Sequence, residues 1–273
     1  NSGQPSAKEV FDTTPYTILV VDDNPDMTDF LKRTFEGYFK RIIIAGDGVE
    51  ALQLVRSHVP DIIVSDVMMP RMNGYKLCKT IKEDINISHI PVILLTARDD
   101  RQSQISGYKN GADGYLSKPF EVEMLMELIR NRLKNREYTK KRYLNAGLSP
   151  TPEESTISLT DETFLIKLNS IIQENIENSN LGIQFICQEV GLGRSSLYNK
   201  LKALTGMGAN EYISKLRIEK AITLISGTDM PFSEIAEKTG FTTPSYFSTA
   251  FKQYTGETPS QYKERKKKGL AGK

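Results

Sequence analysis

From about residue 16 the chain alternates short apolar runs with longer stretches in which apolar residues recur every three or four positions. The runs predict β-strands at 17–22, 41–45, 61–65, 91–95 and 113–117. The longer stretches predict helices at 26–37, 48–57, 73–83, 101–110 and 121–135. Strand and helix in strict alternation imply a doubly wound α/β domain, a five-stranded parallel sheet covered on both faces. In such a sheet the chemistry lies beyond the carboxyl ends of the strands, where the strand order reverses. After about residue 158 the strand signal disappears. Helices are expected at 161–178, 183–190, 194–204, 208–226, 232–239, 243–254 and 259–267, the first with a capped start at Thr160-Asp-Glu-Thr163.

These patterns divide the chain into an N-terminal lead-in at 1–15, an α/β domain at 16–137, a connection at 138–160, an all-α domain at 161–268 and a short tail at 269–273. The helix that closes the first domain continues through the basic run Lys134 to Arg142 to about Leu144. A Gly-, Pro- and Ser-rich linker follows at 145–155. A length of 273 residues, 38% of them hydrophobic, suffices for two domains with separate cores. The longest apolar runs fall far short of the roughly 20 residues needed to cross a bilayer, so no membrane contact by this stretch is expected. Cys78 and Cys187 lack metal-ligand spacing and are expected to be reduced, packed thiols, which points to the cytoplasm. The net charge of +2 is uninformative, but from Leu181 to Lys268 thirteen Lys and Arg face eight Asp and Glu. The chain begins without Met and has a polar lead-in, which suggests a piece of something longer; a trimmed tag is the simpler alternative.

The strand ends carry the candidate chemistry. Asp22 and Asp23 follow the first strand, Asp66 the third, Thr96 the fourth and Lys118 the fifth. Three carboxylates in one crevice repel one another unless a cation sits among them, and a hard divalent ion with oxygen ligands, Mg²⁺, fits best. Lys118 precedes Pro119, so that peptide has a cis option. An isolated Asp at a strand end is ordinarily a cap; it is the convergence of four strand ends that is expected to give Asp66 a chemical role.

The motifs Val20-Val-Asp-Asp-Asn24, Asp66-Val-Met-Met-Pro-Arg-Met-Asn-Gly74, Leu95-Thr-Ala97 and Gly111-Ala-Asp-Gly-Tyr-Leu-Ser-Lys-Pro-Phe120 resemble the receiver domain of two-component response regulators. The resemblance implies a flavodoxin-like fold in which Asp66 accepts a phosphoryl group from a phosphohistidine. It implies that Asp23, Asp66 and the backbone carbonyl of Met68 hold Mg²⁺, with Asp22 acting through a metal-bound water. Lys118 and Thr96 would contact the phosphoryl oxygens, and Thr96 and Tyr115 would form the switch that alters the face built from 101–135. Met68 and Arg98 flank the pocket and are expected to tune the lifetime of the phosphorylated state.

The all-α half repeats itself. Ile186-Cys-Gln-Glu-Val-Gly-Leu192 matches Ile235-Ala-Glu-Lys-Thr-Gly-Phe241, and Leu201-Lys-Ala-Leu-Thr-Gly206 matches Phe251-Lys-Gln-Tyr-Thr-Gly256. Each copy reads as a helix-turn-helix. Leu197, Leu201, Leu204, Phe247, Phe251 and Tyr254 are expected in the core. The opposite faces carry Arg194, Ser195, Tyr198, Asn199 and Lys202 in the first copy and Thr243, Ser245, Ser248, Thr249 and Lys252 in the second, types that reach base edges or phosphates in a major groove. Gly240-Phe-Thr-Thr-Pro-Ser-Tyr-Phe-Ser-Thr-Ala-Phe-Lys252 and Gly256-Glu-Thr-Pro-Ser-Gln-Tyr-Lys263 resemble the AraC-type DNA-binding domain. That resemblance implies two recognition helices in successive grooves of double-stranded DNA. The second reader has no Arg at the base-reading positions, so its base specificity is expected either to be weaker or to rest on DNA shape.

The expected function is a phosphorylation-controlled transcription regulator that dimerises when phosphorylated and is not itself an enzyme beyond phosphoryl acceptance and autodephosphorylation. The combination resembles the C-terminal part of Bacteroidetes hybrid two-component systems, in which a membrane-anchored sensor histidine kinase shares the polypeptide. A free-standing response regulator is the alternative. An aspartyl-phosphate hydrolase would place a second acid where Met68 stands, and a phosphorylation-gated module that never touches DNA would bind without salt dependence.

Overall fold

The computed structural model describes residues 10–97, 111–145 and 158–270. Five parallel strands form one sheet: β1 (Thr17–Val21), β2 (Arg41–Ala45), β3 (Ile62–Asp66), β4 (Val92–Ala97) and β5 (Gly114–Lys118). Their order is β2-β1-β3-β4-β5, so the order reverses between β1 and β3. Register pairs Val21 with Ser65, Asp66 with Leu95 and Ala97 with Lys118, which brings the carboxyl ends level.

The sheet is buried on both faces because every second residue of its strands is apolar in both phases. Leu19, Val21, Ile63 and Leu94 pack on one side with Ala51, Val55, Leu77 and Ile81 of α2 (Gly48–His58) and α3 (Gly74–Glu83). Ile18, Val20, Val64 and Ile93 pack on the other with Leu31 and Phe35 of α1 (Pro25–Phe35) and with Leu125, Ile129 and Leu133 of α4 (Val122–Asn145). Full burial of a side chain such as Phe35 contributes about 1.5–3 kcal/mol. Each of the first three helices starts on an Asx cap, Asn24, Asp47 and Asn73, whose side chain accepts from the first-turn amides. The expected strands and helices lie within a residue or two of these bounds. The helix expected at 101–110 lies outside the described residues, as does Arg98.

The chain separates into two compact units. The first runs to Thr139 and includes Asp161; the second takes in Lys140 and continues from Glu162. The boundary therefore falls inside α4, two residues beyond the expected end of the α/β domain. In the second part of the chain the structure holds α5 (Leu159–Glu174), α6 (Ile183–Val190), α7 (Arg194–Thr205), α8 (Ala209–Gly227), α9 (Phe232–Lys238), α10 (Pro244–Thr255) and α11 (Pro259–Leu270). Two expectations need correction here. The cap of α5 is Ser158, whose hydroxyl accepts from Asp161 N at 3.2 Å and donates to Asp161 Oδ2 at 2.8 Å; Thr160 lies inside the helix. The helix also ends at Glu174, short of 178.

The long helix α8 packs against α7, α9, α10 and α11. Its Ile218, Ala221 and Ile225 join Ile235, Phe241, Phe247, Phe251 and Tyr262 in one core cluster. Phe247 packs between Phe241, tilted at a centroid distance of 5.4 Å, and Phe251, edge-on at 5.7 Å, and Phe251 meets Tyr262 at 5.6 Å. Leu197, Leu201 and Leu204 are buried as expected, but Tyr254 is 37% exposed and bonds Glu219 Oε1 at 3.4 Å instead of entering the core. Its phenol gives it a polar end that a core position would leave without solvent. Both cysteines are buried free thiols, and burial pushes the Cys78 thiol up to about 12.

Candidate functional site

The carboxyl end of the sheet gathers three of the predicted side chains. Asp66 ends β3 with only 7% exposure, and its Oδ2 accepts from Met68 N at 2.7 Å. The ammonium of Lys118 contacts Asp66 Oδ1 and also lies 2.9 Å from Asp22 Oδ2. Asp22 is itself buried, with Oδ1 accepting from Asn24 N at 2.9 Å. Lys118 therefore serves as the cation between the two acids. The Lys118–Pro119 peptide is cis, the isomer that the sequence left open. Asp23, by contrast, is exposed, and among the described residues no three acidic, His or Cys side chains form a group arranged to hold a metal. Thr96 is buried at the end of β4, and its Oγ1 has no hydrogen-bond partner among the described residues. Tyr115 is half-buried on β5 and packs against the α2/α3 side of the core.

Burial raises the Asp66 carboxyl above the ordinary carboxylate range, and the nearby Asp22 charge adds to this against the hydrogen bond and charge of Lys118. Burial lowers Lys118, but its bonds to Asp66 and Asp22 outweigh it and leave the amine raised. An acid whose folded pKa is raised holds its proton more tightly when folded. Its favourable contribution is therefore present at acid pH and is lost as pH rises through the raised value. The melting temperature of the wild type relative to Asp66→Asn is expected to fall on going from pH 3 to pH 8; a pH-independent difference would contradict the raised carboxyl.

The loop after Asp66 is held from several sides. Gly74 sits so close that a Cβ would lie 2.2 Å from the Asp66 carbonyl oxygen, so only glycine fits at the start of α3. Arg71, with φ at 60°, pairs with Asp47, and Gly48 N donates to Met72 O at 3.2 Å. Asp47 is buried and its Oδ1 also accepts from Val49 N at 2.7 Å and Glu50 N at 3.1 Å. This link between the α2 N-terminus and the loop was not anticipated. The signal available was an Asp three residues before Glu50, which reads as a cap and gives no hint of Arg71. Asp47→Ala is expected to cost about 1–2 kcal/mol of stability in urea titration, the usual range for a lost cap.

The second candidate site is the pair of helix-turn-helix faces. Gly191 and Gly240 end α6 and α9 with φ of 74° and 72°. At Gly240 a Cβ would lie 2.1 Å from Ile176 O, so the turn into α10 requires glycine on both counts. On α7, Arg194, Ser195, Tyr198 and Lys202 are exposed and Asn199 is half-exposed; Arg194 donates to Gln184 Oε1 at 3.1 Å. On α10, Thr243 caps the helix by accepting from Tyr246 N at 3.2 Å, Ser245, Thr249 and Lys252 are exposed, and Ser248 is half-exposed. An open groove of about 530 Å³ runs along this face and is lined by Ser248, Thr249, Lys252, Gln253, Gly256 and Thr258. Gln253 and Thr258 are additions to the expected set. Gln253 stands four residues after Thr249, a spacing that could have found it.

The receiver-domain family profile, "Response regulator receiver domain", matches residues 18–130, and a "Helix-turn-helix domain" profile, the AraC-type class, matches 186–265. The response regulator MprA of a Mycobacterium species is 36% identical over 165 residues, which cover 56% of this chain and 70% of that protein. The chain belongs to the response-regulator family. A longer match is to a protein named histidine kinase P4 from Formosa agariphila, 41% identical over 249 residues, covering 91% of this response-regulator chain but only 18% of the relative. The DNA-binding response regulator MtrA of Mycolicibacterium smegmatis is 36% identical over 136 residues, of which 58% of that protein is covered. The chain thus spans between about a fifth and just over half of these two relatives. Among solved structures, a putative response regulator from Chloroflexus aurantiacus aligns with 44% of this chain and 99% of its own, at 34% identity and a TM-score of 0.42.

Proposed function

We propose that this response regulator binds DNA under the control of phosphorylation at Asp66. The observation that carries the reading is the pairing of one buried carboxylate, held by Lys118 and Met68 N, with two polar reader helices in the same chain. In the transfer, the phosphorus–nitrogen bond of a phosphohistidine breaks, a bond to an Asp66 carboxylate oxygen forms, and the histidine nitrogen takes a proton. Phosphoryl transfer asks mainly for position and charge neutralisation. Asp66 supplies the nucleophile at a fixed strand end, and Lys118 supplies a cation already directed at it. Thr96 contributes a buried hydroxyl with no partner among the described residues, suited to bond the added acceptor oxygens.

The hard oxygen donors Asp66, Asp22, Asp23 and the Met68 carbonyl fit a divalent ion of the Mg²⁺ class in chemistry, Asp66 and Asp23 with the carbonyl as ligands and Asp22 through water. When bound, such an ion supplies neutralisation of charge on the transferred phosphoryl oxygens. Lys118 lies between Asp22 and Asp66, and Asp23 is exposed beside them in sequence. Tyr115 and Thr96 serve as the switch, and the face that includes β5 and α4 carries the change to a homodimer. Dimerisation places two pairs of readers on adjacent half-sites, which raises affinity without a new DNA contact.

The likeness to a protein named a histidine kinase over 91% of the chain supports a phosphohistidine donor in the same polypeptide. Among the described residues no helix is long and apolar enough to cross a membrane. The chain's own chemistry is phosphoryl acceptance and release, without turnover of phosphate esters; Met68 occupies the place of a second acid. The test is footprinting with and without a phosphoryl donor. Protection should strengthen with the donor in the wild type and stay constant in Asp66→Ala; equal occupancy of both proteins in both conditions would refute the coupling.

A further inference from the structure

The two readers superimpose in sequence with an offset of 50, so Tyr198 and Asn199 of α7 correspond to Ser248 and Thr249 of α10. Their hydrogen bonding differs in kind. Ser248 Oγ donates to Pro244 O at 3.0 Å, and Thr249 Oγ1 donates to Ser245 O at 3.1 Å. A hydroxyl has one hydrogen, and here both hydrogens are turned back into the helix. What remains for a partner is lone pairs and, at Thr249, the γ-methyl. Asn199 in the matching position offers an amide that both donates and accepts, and Tyr198 a phenol at the end of an exposed ring.

We infer that the two readers recognise chemically different DNA, with Thr249 selecting a thymine by its methyl group while Asn199 selects an adenine by paired hydrogen bonds. The inference rests on the DNA-binding reading above. In the major groove guanine shows the acceptors N7 and O6, thymine an O4 acceptor beside its methyl, and adenine and cytosine amino donors. The outward lone pairs of Ser248 and Thr249 find no donor on either guanine or thymine, so the Thr249 methyl, packed on the thymine methyl that guanine lacks, is what separates the two. The cation on this face, Lys252, lies in the same groove one turn along and is placed for a phosphate. Asn bonded to adenine N6 and N7 is the geometry that an amide of this kind makes.

The test is selection of randomised duplexes by the phosphorylated full-length chain, followed by affinity measurement on single-base variants. The wild type is expected to select thymine beneath α10 and adenine beneath α7, with guanine in place of that thymine weakening binding about tenfold. Thr249→Val keeps the methyl and removes the hydroxyl, and should retain the thymine preference with affinity within about threefold of wild type. Thr249→Asn should exchange thymine for adenine at that position. If Thr249→Val loses the preference beneath α10 while the preference beneath α7 persists, the hydroxyl is a reading group and the inference is wrong. If the wild type selects no sequence beneath either helix, the DNA-binding reading itself fails.

Discussion

Asp66→Asn is expected to take up no phosphoryl group from a radiolabelled low-molecular-weight phosphodonor under conditions that label the wild type. The amide matches the carboxylate in shape and can still accept from Met68 N, so the loop and Gly74 should hold their places. What it lacks is a nucleophilic oxygen and the charge that attracts Lys118. Asp22 and Asp23 are the other acids near the strand ends, but Asp22 is occupied by Asn24 N and Lys118, and Asp23 faces solvent. Neither is positioned to substitute. The measurement is stable label per chain, and label on Asp66→Asn equal to wild type would remove Asp66 from its role. Lys118→Ala forms the companion case: it should label more slowly, since it keeps the nucleophile and loses the cation.

Phe247→Ala is expected to cost about 3–5 kcal/mol and to abolish sequence-specific DNA binding while leaving phosphorylation of Asp66 intact. The ring is fully buried and meets Phe241 and Phe251, so truncation leaves a cavity in the core cluster that α8, α9 and α10 share. The reader face of α10 lies on the opposite side of the same helix, and its position depends on that ring. Chemical denaturation should show the loss, and labelling of the same sample gives the control. A variant with wild-type stability would mean that α10 is not seated by this cluster.

How much of this was legible in the sequence depends on the range of the interactions involved. Asp22, Asp66, Thr96 and Lys118 were readable because apolar runs mark strands and a parallel sheet presents its chemistry at one end. The cores of the two readers were readable because Leu197 with Leu201, and Phe247 with Phe251, follow the helical period. Tyr254 follows the same period and was misplaced, because periodicity takes no account of a hydroxyl that finds Glu219 and water. The Asp47 to Arg71 pair was invisible: it joins residues in different loops, and Arg71 adopts a left-handed conformation that an Arg does not advertise. The pairing of Lys118 with both Asp22 and Asp66 was not readable either: the sequence puts the three at strand ends but does not say which of them meet.

The strand order has a consequence for how the chain reaches this structure. β1 lies between β2 and β3, and its pairing of Ile18 with Ile62 closes a loop across all of α1, β2 and α2. No local hairpin can nucleate such a sheet, and β1 has only one neighbour until the stretch that ends in Asp66 emerges from the ribosome. The reader half, built of neighbouring helices with short turns, meets no such delay and belongs to the faster-folding class. Refolding from urea should therefore resolve a fast rise in helicity and a slower phase for the sheet. The α/β half therefore reaches its final structure after the helical half.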